Sequence, residues 1–438
     1  MTSLAITTLA ALVAGWALLS GALSRHNVTG PMVFVAAGYL LGNPDWGPMR
    51  VDVATESARF VAEVTLALLL FADASRIDAT QLRHSAAVPA RLLGIGLPLA
   101  MIAGTAAAVA VVTDLPWVLA LFVGAALAPT DAALSAAVIT DERVPLRLRR
   151  SLNVESGLND GIATPVVAMA LAGSAAALGV TESAESVAVV DALRDLGVGV
   201  LAGLVVGAGG AWATDRATRR GWTSSSARRL AVLALAVVAY SSALAAEGNG
   251  FIAAFVAGVA FSGVAARDAA DEEGLVVLPE LGGELLALVV WFLFGAGLVP
   301  IIAANIDAAA VLFAVLALTL LRMAPVAIAL VGAGLPRRDV LFLGWFGPRG
   351  LASVVFALLA VETLAESAHP MAGWALAAIA LTVLLSVVLH GLSAGPVARR
   401  FAPPAAEAAE AAGAAEVAEG GPAPNARPQR LVVPGDRR

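Results

Sequence analysis

Apolar runs of about 20 residues, the length that carries a helix across a bilayer, recur along nearly the whole chain and are parted by short polar turns. The pattern predicts thirteen spans, at residues 3–24, 28–42, 57–72, 86–113, 116–139, 151–175, 190–214, 227–247, 250–265, 284–303, 307–333, 338–362 and 371–396. The second and ninth are short. The first, from about Leu4 to Leu23, lacks the basic leader and cleavage pattern of a signal peptide, so it is expected to stay as a spanning helix. From Phe401 onward the chain turns rich in Ala, Glu, Pro and Gly with few large apolar side chains, and 401–438 is expected to be a disordered cytoplasmic tail after a transmembrane domain at 1–400.

Arginine placement orients these spans, because short cytoplasmic loops carry the positive charge. Alternate loops hold Arg25; Arg76, Arg83 and Arg91; Arg143, Arg147, Arg149 and Arg150; Arg216, Arg219, Arg220, Arg228 and Arg229; Arg267; and Arg337 and Arg338. The opposite side has only Arg50, Arg59 and Arg194. The expectation is an N-terminus outside, a C-terminus in the cytoplasm, and residence in the inner (plasma) membrane.

A shift of 219 residues lays the first six spans on the last six, with the span 190–214 linking copies at about 1–175 and 227–396. An even number of spans plus one linking helix makes the second copy enter from the opposite side, which is the inverted-repeat plan of many secondary transporters. The same shift sets Pro129, in Ala128-Pro129-Thr130-Asp131, on Pro348, in Gly347-Pro348-Arg349-Gly350. A proline in mid-span removes a backbone hydrogen bond and clashes with the preceding turn. Paired interruptions of this kind point to a transport site. The fold expected is therefore an all-α polytopic membrane protein of about thirteen helices, with inverted repeats and two broken helices crossing at mid-membrane.

Composition acts mainly by exclusion. With 59% hydrophobic and 14% charged residues the chain is far from a soluble domain, which runs near half and a quarter. The chain has no cysteine, so no disulfide framework or thiolate metal site arises, and the net charge of −6 sits largely in acidic loops and the tail and implies no nucleic-acid partner.

Charge inside the spans changes the picture more, since each mid-span ionisable group costs roughly 2.5–3.5 kcal/mol on insertion scales. Asp131, Glu155, Asp160, Arg322 and Arg349 are such groups, and Asp73 ends the third span. In Glu155-Ser156-Gly157-Leu158-Asn159-Asp160-Gly161, residues four apart share a face, so Glu155 stacks with Asn159 and Ser156 with Asp160. Asp160, the Ser156 hydroxyl, the Asp131 carboxylate and a carbonyl freed near Thr130 would form an all-oxygen nest for a small hard cation, with no His or Cys for a transition metal. Asp131 beside one break and Arg349 beside the other would neutralise the half-helix ends.

These pieces, with Gly250-Phe251-Ile252-Ala253-Ala254-Phe255-Val256-Ala257-Gly258 and Arg322, resemble the monovalent cation/proton antiporter family of prokaryotic sodium/proton antiporters and animal sodium/hydrogen exchangers. The resemblance covers spans two to thirteen and implies a homodimer with a moving six-helix core. It implies that Asp160 alternately holds cation or proton, with Ser156, Asp131 and Thr130 as further ligands, and that Glu155 pairs with Arg349. Arg322 matches a core basic position of varied role, and Asp73 a variable one. The Asn159-Asp160 pair implies one-for-one exchange, whereas relatives with two adjacent acids are electrogenic. Ala132 departs from the proline many relatives carry after the Thr-Asp pair.

The function expected is exchange of a monovalent cation, sodium foremost with potassium and lithium as alternatives, for protons across the lipid bilayer, with no cofactor and no enzymatic step. Cation and proton would compete for Asp160, and the empty anionic site would be held back by its desolvation cost. A channel would need rings of acids or a carbonyl filter. An intramembrane hydrolase would use Asp131 and Asp160 as a paired-acid catalyst and leave a product. A sensor would need a signalling domain larger than the tail.

Overall fold

The computed structural model describes residues 3–76, 87–180, 185–264, 274–364 and 369–401. Of the tail expected at 401–438, residues 402–438 lie outside the described residues, as do the two separate loops that carry Arg83 and Arg267. Every regular element among the described residues is helical.

In chain order the helices are α1 (Ser3–Ser24), α2 (Gly30–Gly42), α3 (Glu56–Ser75), α4 (Ala87–Val111), α5 (Trp117–Ala126), α6 (Ala136–Ile139), α7 (Leu146–Ala177) and α8 (Glu185–Arg219). They continue with α9 (Ser225–Ala245), α10 (Gly250–Val264), α11 (Val277–Asn305), α12 (Ala308–Leu318), α13 (Leu320–Ala329), α14 (Arg337–Trp345), α15 (Leu351–Leu364) and α16 (Pro370–Arg399). Eight runs among them are long and apolar enough to cross a membrane, and α2, α5, α10 and α15 are shorter apolar helices. Helices apolar all round belong in lipid or in the middle of a bundle.

Local chemistry sets the ends. Thr55, Ser224 and Asp307 cap α3, α9 and α12 by accepting from Ala58, Ala227 and Ala310 N–H groups, each of which would otherwise be an orphan donor. Prolines 116, 145 and 336 stand immediately before α5, α7 and α14, where the chain is extended. The helices form two packed groups: α3 lies against α10 and α11, and α8 and α9 against α10, while α4, α5 and α7 pack in sequence and α16 packs on α12 and α15. Two thirds of the apolar stretch of α16 is buried against 6% for α1, which makes α16 central and α1 peripheral. Along α8, Gly203 and Gly207 face the Ala253 and Ala257 carbonyls of α10 so closely that a side chain at either would collide, the close backbone approach that drives helix association in lipid.

The spans predicted at 116–139 and 338–362 are both broken. The first gives way at Leu127 and resumes as the short α6, and the second is non-helical from Phe346 to Gly350. The two breaks touch, with the Asp131 N–H donating to the Pro348 carbonyl at 2.9 Å. The span at 307–333, expected to be continuous, is also interrupted. Thr319 (φ −116°, ψ −92°) separates α12 from α13, and its hydroxyl donates back to the Val315 carbonyl at 2.6 Å, the four-residue back-bonding that bends helices.

Candidate functional site

Each break leaves backbone groups without helical partners, and each is served by a charged residue from the other. Asp131 Oδ2 accepts from the Leu351 N–H at 2.8 Å, at the N-terminus of α15, while its Oδ1 accepts from Ala133 and Leu134 in its own loop at 2.7 and 3.1 Å. Arg349 Nη1 donates to the Ala128 and Pro129 carbonyls past the end of α5, at 2.7 and 3.2 Å. The anion thus sits at the positive end of one half-helix and the cation at the negative end of another. Ser353 of α15 adds a bond to the Ala126 carbonyl at 2.6 Å. The glycines of the second break make room for this. A Cβ at Gly350 would run into the Asp131 carboxylate, and one at Gly347 into the Arg322 guanidinium.

Glu155 does not pair with Arg349. Its carboxylate is held by Arg322 in two parallel bonds, Nη1 to Oε1 at 2.6 Å and Nη2 to Oε2 at 2.9 Å, with both side chains buried. Arg349 is engaged instead with the carbonyls of the first break, and Arg322 also donates to the Leu343 carbonyl near the end of α14 at 3.3 Å. Two arginines were available on facing elements, and the fold brings Arg322 of α13, not Arg349, to Glu155.

One turn further along α7 lie the polar groups of the nest. Asn159 Nδ2 donates to Thr130 Oγ1 at 2.7 Å, and the Thr130 and Ser156 hydroxyls are 3.0 Å apart. Thr130, Ser156 and Asn159 are all buried. Two oxygens here, Asn159 Oδ1 and Asp160 Oδ1, are buried with no hydrogen-bond partner among the described residues, and the Thr130 carbonyl receives no hydrogen bond among them either. Asp73 on α3 faces Gly157, where a methyl would stand 3.7 Å from the Asp73 Cβ. Asp73, Asp131 and Asp160 lie within reach of one another's charge. The structure therefore brings Asp160, Asn159, Ser156, Thr130, Asp131 and Asp73 to one place and sets Glu155, Arg322 and Arg349 behind it as supports.

Beyond Asp160 a cavity of about 240 Å³ opens along α7, between Thr164, Val167 and Leu171, Asn249 and Phe251 at the start of α10, and Phe356 on α15. Thr164 joins the cavity to the site, since its hydroxyl donates to the Asp160 carbonyl at 2.7 Å. Between the two, Gly161 lies flat against the Phe255 ring of α10. Residues that sequence reasoning missed are Ser353, Ser386 and His390, whose polar side chains inside apolar runs were the available signal.

A helical membrane bundle with two interrupted helices crossed at a cluster of carboxylates defines a class, that of secondary transporters built on broken helices. A family model described as "Sodium/hydrogen exchanger, transmembrane" matches residues 8–400, and the chain belongs to that family. Among curated proteins it is 26% identical over 372 residues to a K(+)/H(+) antiporter NhaP of Alkalimonas amylolytica, covering 84% of this chain and 62% of that protein. It is 25% identical over 246 residues to a K(+)/H(+) antiporter NhaP2 of a Shewanella species, covering 55% of this chain and 41% of that protein. The matched region thus spans less than two thirds of the length of these relatives. Among solved structures it resembles the sodium proton antiporter MjNhaP1 from Methanocaldococcus jannaschii, with a TM-score of 0.74, 19% identity, and coverage of 91% of this chain and 98% of that one.

Proposed function

We propose that this protein exchanges a monovalent cation for protons, one for one, by letting the two compete for the Asp160 carboxylate. The observation that carries this reading is the buried Asp160 Oδ1 with no donor of its own, together with an equally unpartnered Asn159 Oδ1 and a Thr130 carbonyl that receives no hydrogen bond among the described residues. Buried polar oxygens are normally paired, and a group left open asks for a partner from outside the chain. Oxygen ligands on a rigid scaffold suit a hard cation. Ser156 and the Thr130 carbonyl complete the set, Asp131 adds charge through lone pairs not used by its three N–H donors, and Asp73 adds charge from α3.

The core crosses only when Asp160 is neutralised, by cation or by proton, because an uncompensated carboxylate is costly away from water. Asn159 cannot titrate, which leaves one proton per cation. We place the exchanger in the plasma membrane, multi-pass, with the N-terminus outside and the C-terminus in the cytoplasm, working as a homodimer, and read the two halves as inverted repeats. Sodium is the first cation to test, and potassium is the cation named for the Alkalimonas and Shewanella relatives. Purified protein in vesicles holding a pH-sensitive dye, given sodium, potassium and lithium in turn, should show a dye response to at least one. No response to any of the three would remove the reading.

A further inference from the structure

His390, in the middle of α16, is buried and takes no part in the exchange chemistry above. Its Nε2 lies 2.8 Å from the Trp345 carbonyl, the last residue of α14, and its Nδ1 lies 3.2 Å from Ser386 Oγ and 3.0 Å from the Ser386 carbonyl. Ser386 Oγ in turn accepts from the Arg349 N–H at 2.7 Å. The imidazole stacks on the Trp345 indole, ring centres 5.1 Å apart and planes 26° apart, and the indole N–H donates to Ser393 Oγ at 3.0 Å.

The spacing explains why these two residues act together. Trp345 is the last helical residue before the second break and Arg349 the residue that reaches the first, four positions apart. Ser386 and His390 are also four apart, neighbours on one face of α16. One turn of an intact helix therefore spans the gap in a broken one, holding a carbonyl on one side and an N–H on the other. One arrangement of the neutral ring joins all three groups across the break, with the Ser386 carbonyl left beside Nδ1 and not bonded to it. Neutral His390 with its proton on Nε2 donates to the Trp345 carbonyl, its bare Nδ1 accepts the Ser386 hydroxyl proton, and that hydroxyl oxygen receives the Arg349 N–H.

We propose that His390 and Ser386 are positioning residues that splint the second break, fixing Arg349 on the Ala128 and Pro129 carbonyls and so setting the carbonyl geometry at Thr130. The part of this proposal that concerns cation affinity rests on the exchange reading above. The splint itself is tested without transport. Hydrogen–deuterium exchange of the peptide containing residues 345–351, in wild type, Ser386→Ala, His390→Leu and His390→Gln, should show faster exchange in the first two variants. The rate should rise roughly tenfold, the factor that one lost buried hydrogen bond represents. His390→Gln, which keeps an N–H donor, should recover much of the protection. Unchanged protection in Ser386→Ala, which removes one oxygen atom and is the variant expected to fold normally, overturns the splint.

In vesicles, the same loss should raise the KM for cation while the maximal rate stays near wild type. A fall in maximal rate with KM unchanged overturns the link to the site. A wild type that exchanges no cation removes the functional reading while the exchange measurement still decides the splint.

Discussion

Asp160 Oδ1 and Asn159 Oδ1 are both buried without donors among the described residues, yet only the first can gain or lose a charge. Asp160→Asn keeps shape and much of the hydrogen bonding, so the protein should fold and purify as wild type while vesicle exchange falls to the protein-free background for every cation. Exchange at near wild-type rate would move attention to Asp131. A separate prediction concerns the Glu155–Arg322 pair, buried and bidentate at 2.6 and 2.9 Å. Removing one partner strands a charge in a dry interior, so Glu155→Gln or Arg322→Ala should each cost about 3–5 kcal/mol. Thermal unfolding in detergent would measure it, with the double variant Glu155→Gln/Arg322→Gln recovering much of the loss. The residues of this pair were legible in the sequence as charges with no business in lipid. Their pairing was not, because Arg322 and Arg349 are both arginines on elements facing α7, and distance along a chain does not say which one arrives.

At the scale of helices, the two proline-marked breaks were legible because Pro129 and Pro348 fall at matching places in two long apolar runs, and backbone chemistry forbids an undisturbed helix there. The interruption at Thr319 carried no such mark, since a threonine in an apolar run reads as an ordinary helical residue until its back-bonded hydroxyl and distorted backbone are seen. The crossing also required two glycines whose purpose the sequence only hinted at. At Gly350 a methyl group would meet the Asp131 carboxylate that caps α15. Gly350→Ala should therefore push the breaks apart, lowering stability by about 1–3 kcal/mol, the usual cost of overpacking, and reducing exchange more than it reduces folded protein. A variant as stable and active as wild type would mean that the contact between Gly350 and Asp131 is slack.

For the whole molecule, the proposed site lies where α7 and the two breaks meet α3 and α10 of the other helix group, so that movement of one group past the other would change which side Asp160 faces. Fold class was readable from apolar run length alone, whereas the close seating of α8 on α10 depended on glycine positions that only a partner helix makes meaningful. One carboxylate shared by two ions makes a quantitative demand on such a machine. Each cation that binds below the pKa of the site displaces one proton, so the apparent KM for cation should rise about tenfold for each unit by which pH is lowered in that range, with maximal rate at saturating cation unchanged. Above the pKa the KM should become flat. If exchange is one for one, as proposed, an imposed membrane potential should leave the wild-type rate unchanged. Asn159→Asp supplies a second titrating acid beside the first, and if it admits a second proton, each cycle moves one net charge. A potential of 100 mV then acts with about 2.3 kcal/mol per charge, enough to change the rate several-fold. Vesicles carrying a potassium-free diffusion potential, assayed at stepped pH, read both effects. A KM that ignores pH, or a wild-type rate that follows voltage, would contradict competition of one cation with one proton at Asp160.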